Sequence, residues 1–425
     1  MRLTLYHIGK IEMASIEING ITVIAGENNT GKSTVSRALF AMFNSFSNIQ
    51  KQVEDERTKC IENVLYQISE NIGISFPRLI RIAEIARTVV SHVDTYRHLA
   101  FSDLQRNILS LLLQDVDDAE NKMIDRKMIT EFISQIKEIL DITDIDYLST
   151  MLRQRLNAEF NGQICNIYSE ENGEIQLQVR DKKTTVLVDS GGNVRIQNQN
   201  DISLQTEAVY LDDPFVLDEQ TMFFYHDAGN ALDHKQHLQR KLFAKDNSIN
   251  VFDEIIVQGK LGQIFNKLSS VCDGDIVHKK HEETGYRKKN SDKVLNVRNL
   301  STGLKTFVIL KILLMNGTIR HNGTVILDEP EIHLHPECQL VFAELIVLIQ
   351  KEFGIHVLLN THSPYFLNAI EVYAVKYNID DKCKYYLASA SHDVSNIVDV
   401  SDHIDAIYAE LARPLQDLEN ERGKL

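Results

Sequence analysis

At 425 residues, with 43% hydrophobic and 25% charged residues, the chain is long enough for two or three domains, or for one large domain carrying an insertion. A net charge of -15 disfavours a nucleic-acid surface unless basic residues cluster locally, because such a surface repels phosphate. Cys60, Cys165, Cys272, Cys338 and Cys383 are odd in number, scattered and in no C-x-x-C pair, which argues against a disulfide framework or structural zinc and for a reducing compartment. Met1 to His7 hold no continuous apolar segment of a secretory signal. Phe307 to Met315, broken by Lys311, falls well short of the roughly 18 residues of a membrane span. A soluble, cytoplasmic protein with no membrane partner is expected.

Ile21 to Ala25 form a short apolar run, the profile of a buried strand. From Val35 onward the apolar residues Val35, Ala38, Leu39, Met42, Phe43 and Phe46 share one helical face. Between them, Gly26 to Thr34 spell a complete G-x-x-x-x-G-K-[ST] phosphate loop in the strand–loop–helix order it requires. Gly26 and Gly31 let backbone N–H groups curl around phosphate oxygens, and the helix N-terminus adds partial positive charge. Lys32 is placed to reach the β- and γ-phosphates, and the Ser33 hydroxyl to ligate Mg2+. The cofactor-binding candidates of this loop are Gly26, Asn28, Asn29, Thr30, Gly31, Lys32, Ser33 and Thr34. At average composition a chance match in a chain this long is roughly a one-in-a-hundred event, so an ordinary Gly-rich turn is the weaker reading.

Residues 1–50 are expected to carry this first part of a nucleotide-binding head, and residues 51–157 a helical insertion. Within the insertion, Pro77 to Val93 and Phe101 to Leu113 show helical periodicity with few Gly or Pro to interrupt it. Residues 158–260 turn β-rich and then irregular, with expected strands at Ile164 to Tyr168, Ile175 to Val179 and Thr184 to Val188. Val209 to Pro214 mimic a strand ending in two acids, yet they precede the Ser-Thr-Gly turn described next, so Asp212 and Asp213 read as structural or partner-facing. His226, His234 and His237 show no recognisable nuclease arrangement. A strand pair is expected over 275–299, where Lys279, Lys280, Arg287, Lys288, Lys289 and Lys293 form a local basic patch. A solvated hairpin is its default reading and contact with a nucleic-acid backbone the other.

Residues 261–378 hold the second informative block. Leu300 to Lys305 place a Ser-Thr-Gly turn before an apolar helix, Phe307 to Met315. Such a turn offers free backbone donors, a hydroxyl and a glycine, an anion-binding device that taken alone is better explained as a plain N-cap. Thr324 to Leu327 then form a buried parallel strand that delivers Asp328 and Glu329 to its carboxyl end, where ligands bind in open α/β sheets. Asp328 is placed for the Mg2+ shell and Glu329 to polarise an attacking water. His335-Pro336 opens a helix that runs to Gly354, and the strand His356 to Leu359 ends in Asn360-Thr361-His362-Ser363-Pro364. That order sets His362 at another strand end, within reach of a γ-phosphate or the water. Next to Glu331, the pair His333 and His335 reads as loop packing before it reads as a metal site. Residues 379–425 are taken as a C-terminal tail element.

Phosphate loop, Leu-Ser-x-Gly motif, Leu-Asp-Glu-Pro acids and Thr-His-Ser-Pro together resemble an ABC-type P-loop ATPase head. Asp328 to Pro336, followed by Asn360 to Pro364, is similar in wording to OLD-like and SMC/RecF-like ATPases, the match covering about residues 1–50 and 295–378. The resemblance implies an α/β fold with a mixed or parallel sheet split by a helical insertion. It implies ATP and Mg2+ as cofactors, Lys32 and Ser33 as phosphate and metal ligands, Asp328 on the metal, Glu329 as catalytic base and His362 as switch histidine. It also implies that Ser301 and Gly303 contact ATP held by the other protomer of a homodimer or higher oligomer. Thr302 stands where the family motif often has a glycine. OLD proteins carry a TOPRIM nuclease after the head, and the residues that follow His362 are too few for one. The chain is thus similar to the ATPase subunits of bacterial anti-phage systems such as Septu and PARIS, whose partner is a nuclease or toxin encoded nearby. The alternative is a RecF/SMC-like ATPase of DNA repair, with DNA as partner.

Overall fold

The structure, a computed structural model, describes residues 1–72, 79–113, 126–198, 202, 204–218, 232–243, 262–277 and 285–424. The chain opens with β1 (Arg2–Ile8), β2 (Ile11–Glu17) and β3 (Ile21–Gly26), followed by α1 (Lys32–Phe46). Every residue of β3 is buried, as expected for a strand covered on both faces by helices.

Asn48–Thr150 form a compact unit of their own. It holds α2 (Ile49–Ile72), α3 (Leu79–Ser91), α4 (Val93–Arg97), α5 (Phe101–Leu113) and α6 (Arg126–Asp141). Apolar residues three and four apart make its core: Ile61, Leu65 and Ile68 on α2, Leu104 and Ile108 on α5, Ile133 and Ile136 on α6. The expected helix from Pro77 is described only from Leu79; Pro77 lies outside the described residues.

Met1–Ser47 and Met151–Leu425 form the other unit. Its later elements begin with α7 (Asp144–Phe160), whose last turns belong to it, β4 (Gly173–Val179), β5 (Lys182–Val188), β6 (Val194–Asn198), β7 (Ala208–Leu211) and α8 (His234–Phe243). They continue with α9 (Gly262–Val271), β8 (Gly274–Val277), β9 (Gly285–Lys288), β10 (Val294–Asn296), α10 (Thr302–Met315), β11 (Thr324–Asp328) and α11 (Pro336–Phe353). β12 (His356–Thr361), α12 (Pro364–Lys376), β13 (Cys383–Ser391), β14 (Val394–Asp399) and α13 (Asp405–Arg422) complete it. Among the described residues, eleven strands join in one sheet of order β6-β5-β4-β1-β2-β14-β13-β3-β12-β11-β7. The run β13-β3-β12-β11-β7 is parallel throughout, and β2-β1-β4-β5-β6 is an antiparallel flank. The chain is therefore an α/β protein with a large mixed sheet. α10, α11 and α12 cover one face of the parallel part, where the rings of Phe307, Phe342 and Phe366 meet in sequence.

Three expectations change. Ile164 to Tyr168 form no strand beyond an isolated bridge from Cys165 to Ile8. The Asn166 side chain accepts the Tyr168 N–H (2.9 Å) and its carbonyl the Ser169 N–H (3.3 Å), so a local turn wins over sheet pairing and leaves Ile167 and Tyr168 exposed. The pair expected over 275–299 is a three-stranded antiparallel sheet, β10-β9-β8. The segment 379–425 is no mere tail, because β13 pairs with β3 at the centre of the large sheet. Among the described residues, no helix is long and apolar enough to cross a membrane.

Candidate functional site

Parallel strands β3, β12, β11 and β7 lie side by side, so their carboxyl ends bring the phosphate loop, the 360–363 turn, Asp328-Glu329 and Asp212 to one edge of the sheet. The loop is held open by glycine. Gly31 has φ +83°, and a Cβ there would stand 2.4 Å from Ile11 Cδ1; a Cβ on Gly26 would stand 2.2 Å from the Ala388 carbonyl oxygen. Asn29 also adopts a positive φ (61°), whereas Thr30 is buried with its hydroxyl on the Glu27 carbonyl (2.8 Å). Asn28 is exposed; Ser33 and Thr34 are half-buried in the first turn of α1.

Lys32 is 4% exposed, and its Nζ donates to the carbonyls of Gly26 (3.0 Å) and Glu27 (2.7 Å). Burial pushes its amine down from the usual lysine range, opposed by the carboxylates of Glu329, Asp328 and Glu331. Glu329 Oε1 lies 3.8 Å from Lys32 Nζ and 3.3 Å from His362 Nδ1. Glu329 holds φ +49°, a left-handed backbone that costs a non-glycine residue on the order of 1 kcal/mol, and its N–H is tied to the Asn360 carbonyl (3.0 Å). Such strain concentrates at functional sites.

Asp328 is gripped from both sides: Oδ1 accepts from Asn360 Nδ2 (2.8 Å) and Oδ2 from the Tyr210 hydroxyl (2.8 Å). Asn360 Nδ2 also reaches Ser36 Oγ on α1 (2.8 Å). Glu331 is buried, and burial pushes its carboxyl up; Oε1 takes the Thr361 hydroxyl and the His362 N–H (3.3 Å). Asn360, Glu331 and Thr361 lie within the quoted motifs but had no role assigned there, and Tyr210 lies outside them. Each lies at or near a strand's carboxyl end: Tyr210 and Asn360 one residue before it, Thr361 on it and Glu331 three residues past it.

The structure brings Lys32, Glu329 and His362 together, with Asp328 beside them, but sets Ser301 and Gly303 to other tasks within the chain. Ser301 is exposed and caps α10, its hydroxyl accepting the Leu304 N–H (3.4 Å). A Cβ on Gly303 would meet the His333 carbonyl at 3.1 Å. His333 packs edge-on against Phe215 (5.8 Å). Asp213 caps the short 3-10 turn Pro214–Leu217 through the Phe215 N–H (2.8 Å). His226, Lys279 and Lys280 lie outside the described residues. Among the described residues no group of three or more His, Cys, Asp or Glu side chains is arranged to hold a metal ion by itself.

His234 bridges two carboxylates, Nδ1 to Glu159 Oε2 (2.8 Å) and Nε2 to Asp212 Oδ2 (3.0 Å). Burial opposes its charge, but these two hydrogen bonds and the negative charges of the same carboxylates together outweigh burial and push the imidazole up to about 9. Burial pushes His237 down to about 4, against its contact with Glu207. A raised base stabilises the fold fully below its unfolded value of 6.5 and loses that contribution as pH rises to about 9. Stability should therefore fall across this window by up to about 3 kcal/mol, read as urea midpoints at graded pH. His237 acts oppositely, its contribution fading as pH falls from 6.5 to about 4. Stability flat or rising between neutrality and pH 9 would contradict the His234 bridge.

The residues fit a nucleotide and a divalent cation. α1 starts on Gly31 without a side-chain cap, leaving its first amides to an anion. Two buried polar atoms around the strand ends, Asn360 Oδ1 and Glu331 Oε2, have no hydrogen-bond partner among the described residues.

Residues 9–367 match the AAA ATPase domain family. No curated protein matches the chain. Solved structures similar to it include three SMC heads. One is an SMC head bound to the C-winged helix domain of ScpA, at 12% identity over 95% of this chain and 98% of that one, with TM-score 0.46. Another is the SMC head domain from Thermotoga maritima, at 12% identity over 94% and 98%, TM-score 0.37. The third is an SMC head domain with an extended coiled coil, bound to the C-terminal domain of ScpA and derived from Pyrococcus furiosus, at 13% identity over 99% and 98%, TM-score 0.42.

Proposed function

Because the chain belongs to the AAA ATPase domain family, we propose that it binds and hydrolyses ATP, pairs through the bound nucleotide and regulates a separate effector in bacterial anti-phage defence. The observation that carries the hydrolytic part is the convergence of Lys32 Nζ (3.8 Å) and His362 Nδ1 (3.3 Å) on one oxygen of Glu329, beside Asp328. Lys32 would exchange its loop carbonyls for phosphate oxygens, with the amides of Asn28 to Thr34 cradling the rest. Ser33 and Asp328 would hold Mg2+, which when bound neutralises charge on the phosphate oxygens. Glu329 would accept a proton from the attacking water, and His362 would hold that water or the terminal phosphate. Purified protein should release phosphate from ATP in the presence of Mg2+. No release above a Glu329→Gln background would remove the proposal.

Pairing is supported by Ser301, which is exposed at the N-terminus of α10 and so open to a second copy, its hydroxyl meanwhile capping the helix through the Leu304 N–H. Ser301→Arg is expected to cut turnover at least about tenfold while ATP affinity stays within a factor of two, checked by equilibrium binding and phosphate release; a cut of this size corresponds to the loss of one charge-assisted contact. The defence role and the effector, a nuclease or toxin encoded nearby, rest on the wording of Asp328 to Pro336 and Asn360 to Pro364, which is OLD-like. For a DNA-repair ATPase the support is thinner: Arg287, Lys288, Lys289 and Lys293 are exposed on a small hairpin, but Lys288 is paired with Asp273 (3.4 Å).

A further inference from the structure

Tyr210 sits at the end of β7, 1% exposed, and spends its only hydroxyl on Asp328 Oδ2 (2.8 Å). Its ring cannot swing away. It stacks on the His234 imidazole (centroids 4.2 Å, planes 25° apart) and abuts Phe40 of α1 (6.2 Å). His234 is itself fixed at three atoms: its backbone N–H on Glu159 Oε1 (2.7 Å), Nδ1 on Glu159 Oε2 (2.8 Å) and Nε2 on Asp212 Oδ2 (3.0 Å). Strands β12 and β7 flank β11, so Asn360 and Tyr210 pin the two oxygens of Asp328 from opposite sides. A carboxylate held this way keeps one rotamer, and partners of this kind change metal affinity by about 10- to 100-fold when removed.

We infer that Tyr210 is a positioning residue that presents the Asp328 carboxylate to the divalent cation, and that the Glu159–His234–Asp212 bridge is the platform that aims it. The inference rests on the reading of this site as an ATP site. It gives Asp212 and His234 work that no motif assigns them.

Tyr210→Phe keeps the ring and its stack and deletes only the hydroxyl. Full-length protein with saturating ATP is titrated with Mn2+, free Mn2+ being read by electron paramagnetic resonance; ATP affinity is measured separately in EDTA. The Mn2+ midpoint is expected to rise at least about tenfold, ATP affinity in EDTA to stay within twofold, and turnover to recover at high metal. His234→Gln, which retains the hydroxyl and loosens the platform, should shift the midpoint the same way by a smaller factor, and it serves if the tyrosine variant does not fold. An unchanged midpoint in Tyr210→Phe, or equal losses with and without metal, overturns the inference. Wild-type protein that binds neither ATP nor Mn2+–ATP would sink the site reading itself, whereas normal wild-type binding with an unshifted variant sinks only the role of Tyr210.

Discussion

Glu329→Gln should lower ATP turnover by about 10²- to 10⁴-fold, the usual contribution of a positioned general base, while ATP still binds. Glutamine matches the carboxylate in size, so the strained φ of +49° and the backbone bond to Asn360 (3.0 Å) can persist. What is lost is the acceptor for the water's proton and the negative charge 3.8 Å from Lys32 Nζ. Removing that charge also relieves repulsion of the phosphates, so ATP affinity is expected to hold or rise. Phosphate release and equilibrium nucleotide binding separate the two effects. Turnover equal to wild type would show that Glu329 is not the base, and joint loss of binding and turnover would point to a merely structural role.

Lys32→Ala should abolish both activities by removing ATP affinity, by at least about 100-fold. Hydrogen bonds to charged groups contribute about 1.5–3 kcal/mol each, and on the proposed reading Lys32 would turn its ammonium donors to the triphosphate. Its removal also leaves Asp328, Glu329 and Glu331 without their shared cation, so a lower melting temperature without nucleotide is expected too. Circular dichroism measured 20 °C below the wild-type melting point, about ten times the ~2 °C shift of a 2 kcal/mol defect in a chain this size, checks that the variant is folded before calorimetric titration with ATP. Retained affinity in folded Lys32→Ala would mean that the loop amides alone hold the ligand and that the salt contact with Glu329 is incidental.

The two variants act at residues that local sequence made plain. The phosphate loop, the buried run before Asp328 and the strand before His362 each carry their own signal, because apolar runs flanked by glycine or proline announce strands covered on both faces. Of the residues that grip Asp328, Asn360 lies in a motif that named no such role and Tyr210 carried no signal at all. Tyr210 looks like one more apolar strand residue, and its role comes from β7 pairing in parallel with β11, far away in the chain. Asp212 reads as a second acid-bearing strand end, yet His234 claims its carboxylate (3.0 Å). Cys383 to Ser391 escaped notice as a central strand because nothing local marks which neighbour a strand will pair with, and its partner is β3. Ile164 to Tyr168 failed in the opposite direction: a β-like run was overruled by the hydrogen bonds of Asn166.

Ser301→Arg chains keep Lys32, and Lys32→Ala chains keep Ser301, so mixing the two gives the sharpest test of a pocket completed by a second copy. Lys32→Ala alone should release almost no phosphate, and Ser301→Arg alone at most about a tenth of the wild-type amount. Together they should recover activity, since a mixed pair contains one pocket with both Lys32 and Ser301 intact. A mixture as inactive as its components would contradict the shared pocket.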